Sequence, residues 1–415
     1  MKKLFMLMLV LTAAVLHAQD LKKDFPQSFA IKVTNPGVLG RGQVLVLVSP
    51  AQLKQAAPKF NFKAFVVIDG AKEISSQYNH AGADAGIAFV LDTLAPSASR
   101  TFTIRFHPTA TIAHDYPKRT QAELSHKVDG AWQGREYMGG KFQPVTSLRV
   151  PPEHKDHSWF IRYEGPGWES DKVGYRFYLD QRNATDVFGK KTKNMVLQQV
   201  GLDGFESYHH LQPWGMDVMK VGKAVGLGSP AILANGQAVR IEKTDSVSCR
   251  ISENGVVYSA IQTHYAGWQV EGKKYDVNAD LSIHAGTRLS HLRLTFSQKP
   301  EQFCTGIVKD KAAPLVTKKG DDSHWGYMAT FGKQSLNDDN LGLAVFFRPK
   351  DEAGFTADPY SHLVQLKPAN TLVEYYFLAA WSGEPGGIQT EQQFYAYLNG
   401  VAAQLAEPIK VTIGM

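Results

Sequence analysis

The sequence predicts a mostly β protein built from an N-terminal immunoglobulin-like β-sandwich followed by a larger antiparallel β-supersandwich. Three observations predict it. The 415 residues include 36 Gly, 20 Pro and 11% aromatics, a turn-rich composition that suits sheets better than helical bundles. Short runs of β-branched and aromatic residues recur between turn formers along the chain. Several longer runs alternate apolar and polar residues with period two, the pattern of half-exposed antiparallel strands.

The first eighteen residues have the grammar of a removable signal peptide. Lys2 and Lys3 form a basic start, Leu4 to Leu16 an apolar stretch, and Ala18 a small residue before the cut. The stretch is short for a hydrocarbon core about 30 Å thick, and no later run supplies a membrane span. A periplasmic or secreted location follows as the expectation. The formal net charge of +6 includes the two leader lysines. So mild an excess argues against dedicated nucleic-acid binding and is compatible with an anionic small substrate.

Residues 19–108 read as the immunoglobulin-like domain, with strands at Ala30–Thr34, Gln43–Val48, Ala64–Ile68, Ile87–Leu91 and Thr101–Phe106. Residues 109–146 are irregular and Gly-rich and read as a connector. The supersandwich is expected over residues 147–415. In Asp276–His284, Val277, Ala279, Leu281 and Ile283 share one face. Ser290–Phe296 alternates likewise, and Val256–His264, Leu341–Phe347, Leu363–Lys367 and Leu372–Ala380 are further strands. One helix stands out at Thr390–Leu405. Thr390 and Gln393 make a capping box ahead of a stripe of Phe394, Tyr397, Leu398, Val401 and Leu405. A last strand, Ile409–Ile413, is expected to close an edge. Cys249 and Cys304 allow either one disulfide or two buried thiols.

Chemistry-bearing residues are densest between Trp159 and Leu227. On a strand over Gly174–Asp180, Arg176, Tyr178 and Asp180 share a face that can line a polar cleft. Arg grips a carboxylate with two parallel hydrogen bonds, and Tyr can exchange a proton. Trp168, Glu169 and Lys172 precede this strand, and Arg182 follows it. Further on, Tyr208-His209-His210 leads into Trp214 and Asp217. An indole can stack on a sugar ring, and an imidazole can take a proton near neutral pH. Adjacent histidines on an extended chain point opposite ways, so only one faces a given cleft. His264 and His324 each sit beside an aromatic residue, a pairing that suits carbohydrate recognition. His362 does so less directly, with Ser361 between it and Tyr360.

Glu153-His154 and Asp156-His157 look metal-like but lack a fourth ligand and read as a charged loop. No phosphate-binding loop, dinucleotide fingerprint, zinc-protease helix or nucleophile elbow is present, so no organic cofactor is indicated, and a divalent metal is left open. Asn183-Ala184-Thr185 matches a glycosylation sequon.

The run Glu164-Gly165-Pro166-Gly167-Trp168-Glu169-Ser170-Asp171-Lys172-Val173-Gly174-Tyr175-Arg176 resembles the signature of a family of secreted bacterial proteins that carry a domain of unknown function. Asp186-Val187-Phe188-Gly189-Lys190-Lys191 and Trp214-Gly215-Met216-Asp217 extend the resemblance, which spans nearly the whole mature chain. It implies a galactose-mutarotase-like supersandwich, an architecture shared with several polysaccharide lyases. It also implies coding among enzymes that dismantle uronic-acid polysaccharides such as pectins and ulvan, and a family that includes an oligosaccharide dehydratase. It assigns no catalytic residue, so roles rest on side-chain chemistry.

The expected reaction is β-elimination on a uronic acid residue of an anionic oligosaccharide, by a dehydratase or a lyase. Arg176 is the candidate neutraliser of the substrate carboxylate, with Lys172 or Arg182. His210 is the leading base with His209 as rival, Tyr178 the acid, and Trp168 and Trp214 the stacking platforms. Two other readings compete: a glycoside hydrolase using paired carboxylates such as Glu169 and Asp217, and a glycan-binding protein without chemistry.

Overall fold

The structure is a computed structural model that describes residues 21–414. The expected signal peptide lies outside the described residues. Two compact units divide the chain. One runs to Pro117 and takes back the C-terminal segment from Glu407, and the other covers Lys118–Ala406.

The first unit is a sandwich of a five-stranded and a three-stranded antiparallel sheet. Arg41–Val48 shows why: Val44, Val46 and Val48 point inward and meet Ile31, Val33, Phe102 and Ile104 of the facing sheet. All five expected strands form here. A short helix, Pro50–Ala56, was not foreseen, although Ser49 and Gln52 cap it reciprocally and Pro50 opens it. The last strand, Lys410–Ile413, pairs with Gln27–Thr34 and so closes this sandwich rather than the larger domain. Ile409, Val411 and Ile413 pack on the N-terminal core, and that apolar face decides where the strand docks.

The second unit is built on a nine-stranded antiparallel sheet and two five-stranded sheets that share one core. The nine strands lie in the order Ser147–Arg149, Ser246–Asn254, Tyr258–Val270, Lys273–His284, Leu289–Phe296, Leu372–Trp381, Leu341–Phe347, Gly326–Gly332 and Leu315–Lys318. The expected alternation holds: Val277, Ala279, Leu281 and Ile283 are all buried. Opposite parities of one strand serve different cores. Val345 and Phe347 face the other sheets, while Ala344 and Phe346 face the helix Glu391–Ala406. Thr390 and Gln393 cap that helix as anticipated, and Phe394, Leu398 and Ala402 form its buried line.

Gly342 lies under this helix, and a Cβ there would stand 2.4 Å from the Phe394 ring. Gly342→Ala is therefore expected to destabilise the protein by about 1–3 kcal/mol, read as a lowered midpoint in urea. An unchanged midpoint would mean that the helix lifts freely.

Residues 109–146 are a connector only in their first part. Thr120–Glu123 is a strand of one five-stranded sheet, and Ser125–Gln133 pairs with Glu136–Pro144 in a hairpin. Glycines conceal the period-two pattern there. At Gly140, with φ 72°, a Cβ would meet the Val128 carbonyl at 2.2 Å, so the close pairing requires glycine. Cys249 and Cys304 are two buried free thiols, which settles the alternative left open above. Among the described residues, no helix is long and apolar enough to cross a membrane.

Candidate functional site

The site is carried by the five-stranded sheet ordered Gly215–Asp217, Thr185–Lys190, Val173–Phe177, Gly167–Ser170 and Thr120–Glu123. Trp168, Tyr175, Phe177, Val187 and Met216 point into the shared core. The opposite parity puts Glu169, Arg176, Asp186, Phe188, Lys190 and Asp217 on the outward face. A covering layer closes over that face. Val196, Leu197, Val200 and Tyr208, with part-buried Phe205 and Trp214, pack on Phe188 and Tyr163. The polar face is thereby buried.

Arg176 is its hub. Nη2 donates to Asp186 Oδ2 at 2.8 Å and Asp217 Oδ2 at 2.5 Å, and Nη1 donates to Tyr208 Oη at 3.0 Å. Asp186 is its cross-strand partner in register, and Glu164 approaches at 3.7 Å. The Tyr178, Phe188 and Tyr208 rings flank the guanidinium. With the side chain only 3% exposed and its donors committed, Arg176 cannot grip a substrate carboxylate. The expected neutraliser is a structural hub. Tyr178 is also internal: its Oη donates to Asp186 Oδ2 at 2.6 Å, and burial, against the pull of Arg176, holds the phenol well above its ordinary range. It belongs to the hub and is not the acid.

His209 ends the short turn Ser207–His209 and is half-buried. Its Nδ1–H donates to the Phe205 carbonyl at 2.7 Å, which leaves Nε2 as the acceptor, 3.6 Å from Asp217 Oδ2. Burial and the Arg176 charge lower the pKa of His209, so the ring is neutral at pH 7. Asp217 moves the other way. Burial and neighbouring Asp186 raise its pKa well above the ordinary carboxylate value, against the pull of Arg176. His210 is exposed, because the chain turns extended there and sends its ring away. Of the two histidines, His209 is the one that faces the hub.

The remaining sequence candidates separate. Trp168 is core, donating from Nε1 to Ser290 Oγ at 2.8 Å, and is no stacking platform. Trp214 lies edge-on to Phe188 as part of the covering layer. Glu169 is sealed: one oxygen holds Lys190 Nζ at 2.5 Å, and the other accepts from the Val196 and Leu197 amides. A hydrolase pair of Glu169 with Asp217 is therefore ruled out by burial of both groups. The Lys172 charge acts on Glu384, outside the hub. His264 lies on the nine-stranded sheet beside Asn278, and His324 sits in a turn beside Asp321.

Arg182 is part-exposed, stacks over Tyr178 at 3.8 Å and binds Asp156, Glu164 and Asp180. Burial opposes ionisation of Glu164, but Arg176 and Arg182 outweigh it and hold its carboxyl at about 2. Asp156, His157 and Glu164 bring donor atoms within 4.8 Å of one another, a possible metal ligand set. The Arg182 guanidinium bridges its two carboxylates at 2.8 Å each and already supplies a cation there.

Sequence reasoning missed the cleft itself. An open hollow of about 590 Å³ lies between the glycine-rich hairpin, which contributes Lys127, Lys141 and Phe142, and the Leu202–Glu206 loop. Trp159 and Phe205 form its aromatic wall, with ring centroids 4.5 Å apart. A deeper recess continues past His157 and Glu164 to Tyr208, whose ring lies 4.7 Å from that of His209. His157, Trp159, Tyr163 and Glu164 all have positive φ, between 37° and 71°. Four non-glycine residues in that region mark a strained segment held in place by its surroundings. The only sequence signal was aromatic: Trp159 follows a polar stretch, and Phe205 interrupts one.

A family model described as "Domain of unknown function (DUF4861)" matches residues 33–411, and the chain belongs to that family. Comparison with curated proteins gave no match. Among solved structures, an alpha-mannosidase from Enterococcus faecalis V583 aligns at TM-score 0.46 and 9% identity, over 94% of this chain and 46% of its own. A glycosyl hydrolase family 38 protein from Enterococcus faecalis aligns at TM-score 0.44 and 9% identity, over 94% and 47%. A putative aldose 1-epimerase from Klebsiella pneumoniae subsp. pneumoniae MGH 78578 aligns at TM-score 0.30 and 9% identity, over 57% and 82%. The chain thus spans just under half the length of the first two.

Proposed function

We propose that this member of the family is a carbohydrate-active enzyme that performs β-elimination on uronic-acid oligosaccharides, with His209 as its base. One observation carries the reading. His209 is a neutral imidazole with its tautomer fixed by the Phe205 carbonyl, and its ring packs on the two aromatic residues, Phe205 and Tyr208, that line the cleft and recess.

The hydrogen at C5 of a uronate is acidic because it neighbours the carboxylate. Nε2 of His209 takes that proton, the C4–C5 double bond forms, and the C4–O bond breaks. The departing oxygen needs a proton. We assign it to Tyr208, which lines the recess: burial outweighs the pull of Arg176 and sets its phenol at about 12, still a stronger acid than the alcohol or water that forms. Arg176 Nη1 donates to Tyr208 Oη at 3.0 Å and stabilises the phenolate that forms. Asp217, 3.6 Å from His209 Nε2, and Arg176, hydrogen-bonded to Asp217, act as positioning residues beside the imidazole. Charge on the substrate carboxylate is met by Lys127 and Lys141 of the hairpin, and Trp159 offers a face for a sugar ring.

The test is incubation with uronate oligosaccharides of several linkages, followed by mass spectrometry and ultraviolet absorbance. A product lighter by one water identifies a dehydratase, and two fragments with one unsaturated end identify a lyase. New reducing ends without unsaturation, or saturable binding with no product, would overturn the reading.

A further inference from the structure

The outward face of the nine-stranded sheet is divided in two. The helix Glu391–Ala406 covers one half, where Phe346, Leu378 and Ala380 meet it. The other half, across the strands Ser147–Arg149, Ser246–Asn254, Tyr258–Val270 and Lys273–His284, is an open groove of about 570 Å³. Leu148, Cys249, Thr263 and Ala279 turn to the core, so the intervening residues form the floor of the groove. Register sets them in rows: Arg250 opposite Gln262 opposite Asp280, and His264 opposite Asn278. The hub of Arg176 lies on the outward face of a different sheet, with the shared core between.

The charges of this floor are unbalanced. Arg250 Nε donates to the neutral Gln262 amide oxygen at 2.7 Å, and Gln262 Nε2 in turn donates to Asp280 at 2.6 Å. The one carboxylate lining the groove is thus served by an amide, while the Arg149 and Arg250 side chains are exposed. Elsewhere on the face, Glu374 is shared by His291, Arg348 and, at 3.9 Å, Arg293. No Trp, Tyr or Phe lines the groove, which disfavours a neutral sugar held by stacking. Four strands about 4.8 Å apart make it about 14 Å across, room for a chain rather than a single sugar.

We infer that this groove is a second glycan site, binding the carboxylates of an acidic polysaccharide chain through Arg149 and Arg250 at a distance from the His209 cleft. Fork-shaped guanidinium groups on adjacent antiparallel strands suit repeated carboxylates, and the amides of Gln262 and Asn278 suit hydroxyls between them. The inference rests on the reading of the substrate as an acidic glycan, and it adds a device that holds the polymer while its ends are processed.

Affinity electrophoresis of the full chain in gels containing polygalacturonate, neutral galactan or single-stranded DNA tests it. Polygalacturonate is expected to retard the protein, less so as sodium chloride is raised, and galactan is not. Two exposed guanidinium–carboxylate contacts together are worth about tenfold, so Arg149→Gln/Arg250→Gln is expected to lose about tenfold in affinity for polygalacturonate. That variant should keep wild-type turnover of short uronate oligosaccharides and an unchanged circular dichroism spectrum. Retention of the double variant at wild-type strength would overturn the site, as would equal retardation by DNA, which would mark a generic polyanion surface. If arginine-dependent retention persists while no uronate is turned over, the groove stands and the catalytic reading falls.

Discussion

His209→Ala is expected to lower kcat on a uronate oligosaccharide by about 10²–10⁴-fold, the usual contribution of one positioned proton transfer. KM should change little, because the lysines and the aromatic wall that line the cleft are left in place. Folding should be retained, since His209 is half-buried and its one hydrogen bond is to a loop carbonyl. His210→Ala, one residue on and exposed, should keep wild-type turnover. The pH profile provides an independent readout. A base must be unprotonated, and burial beside Arg176 lowers the pKa of His209. Activity should therefore rise through a midpoint below the ordinary imidazole value of about 6.5 and then stay level through neutral pH. The Tyr208 phenol, at about 12, leaves the alkaline side flat over the working range. An acid limb centred above about 6.5, or equal losses in the two histidine variants, would remove His209 from the base role.

The contrast between those two histidines shows what a sequence can and cannot convey about this site. Their adjacency announces that one will face inward, but which one depends on the turn Ser207–His209 and the extended step after it. Strands such as Lys273–His284 and the helix Glu391–Ala406 were legible because one face meets a core and the other meets solvent or a different layer, so local period equals burial. The strand Val173–Phe177 breaks that link. Arg176 alternates with Tyr175 and Phe177 as a solvent-facing residue does, yet Tyr208, Trp214 and their neighbours close over it. That covering layer is aperiodic, and nothing local to residue 176 encodes it. The reading of Arg176, Tyr178 and Asp180 as one cleft face fails for a second reason. The strand ends at Phe177, and the Leu179 amide turns to the Glu164 carbonyl. The hairpin Ser125–Gln133 with Glu136–Pro144 was hidden by the glycines that let its strands approach, and Lys127 and Lys141 were hidden with it.

Removal of the guanidinium from Arg176 should act on folding before it acts on chemistry. Arg176→Ala is expected to destabilise the protein by about 3–5 kcal/mol, the cost of leaving a buried charge without its partner. Asp186 would lose its cross-strand cation, Asp217 a donor at 2.5 Å, and Tyr208 Oη the donor that orients it. Arg176→Lys should recover only part of this, because one ammonium cannot reach two carboxylates, a phenol and the Tyr163 carbonyl together. The loss should shrink on acidification. Burial and Asp186 raise the pKa of Asp217, so its side chain takes up a proton early as pH falls and needs the cation less. The sign follows from that direction: a carboxyl with a raised folded-state pKa favours the folded form at low pH and opposes it as pH climbs through that value. Urea midpoints of the two variants and the parent at two pH values measure the effect. A stable Arg176→Ala protein that has merely lost turnover would return Arg176 to the substrate, and the covering layer would then have to open.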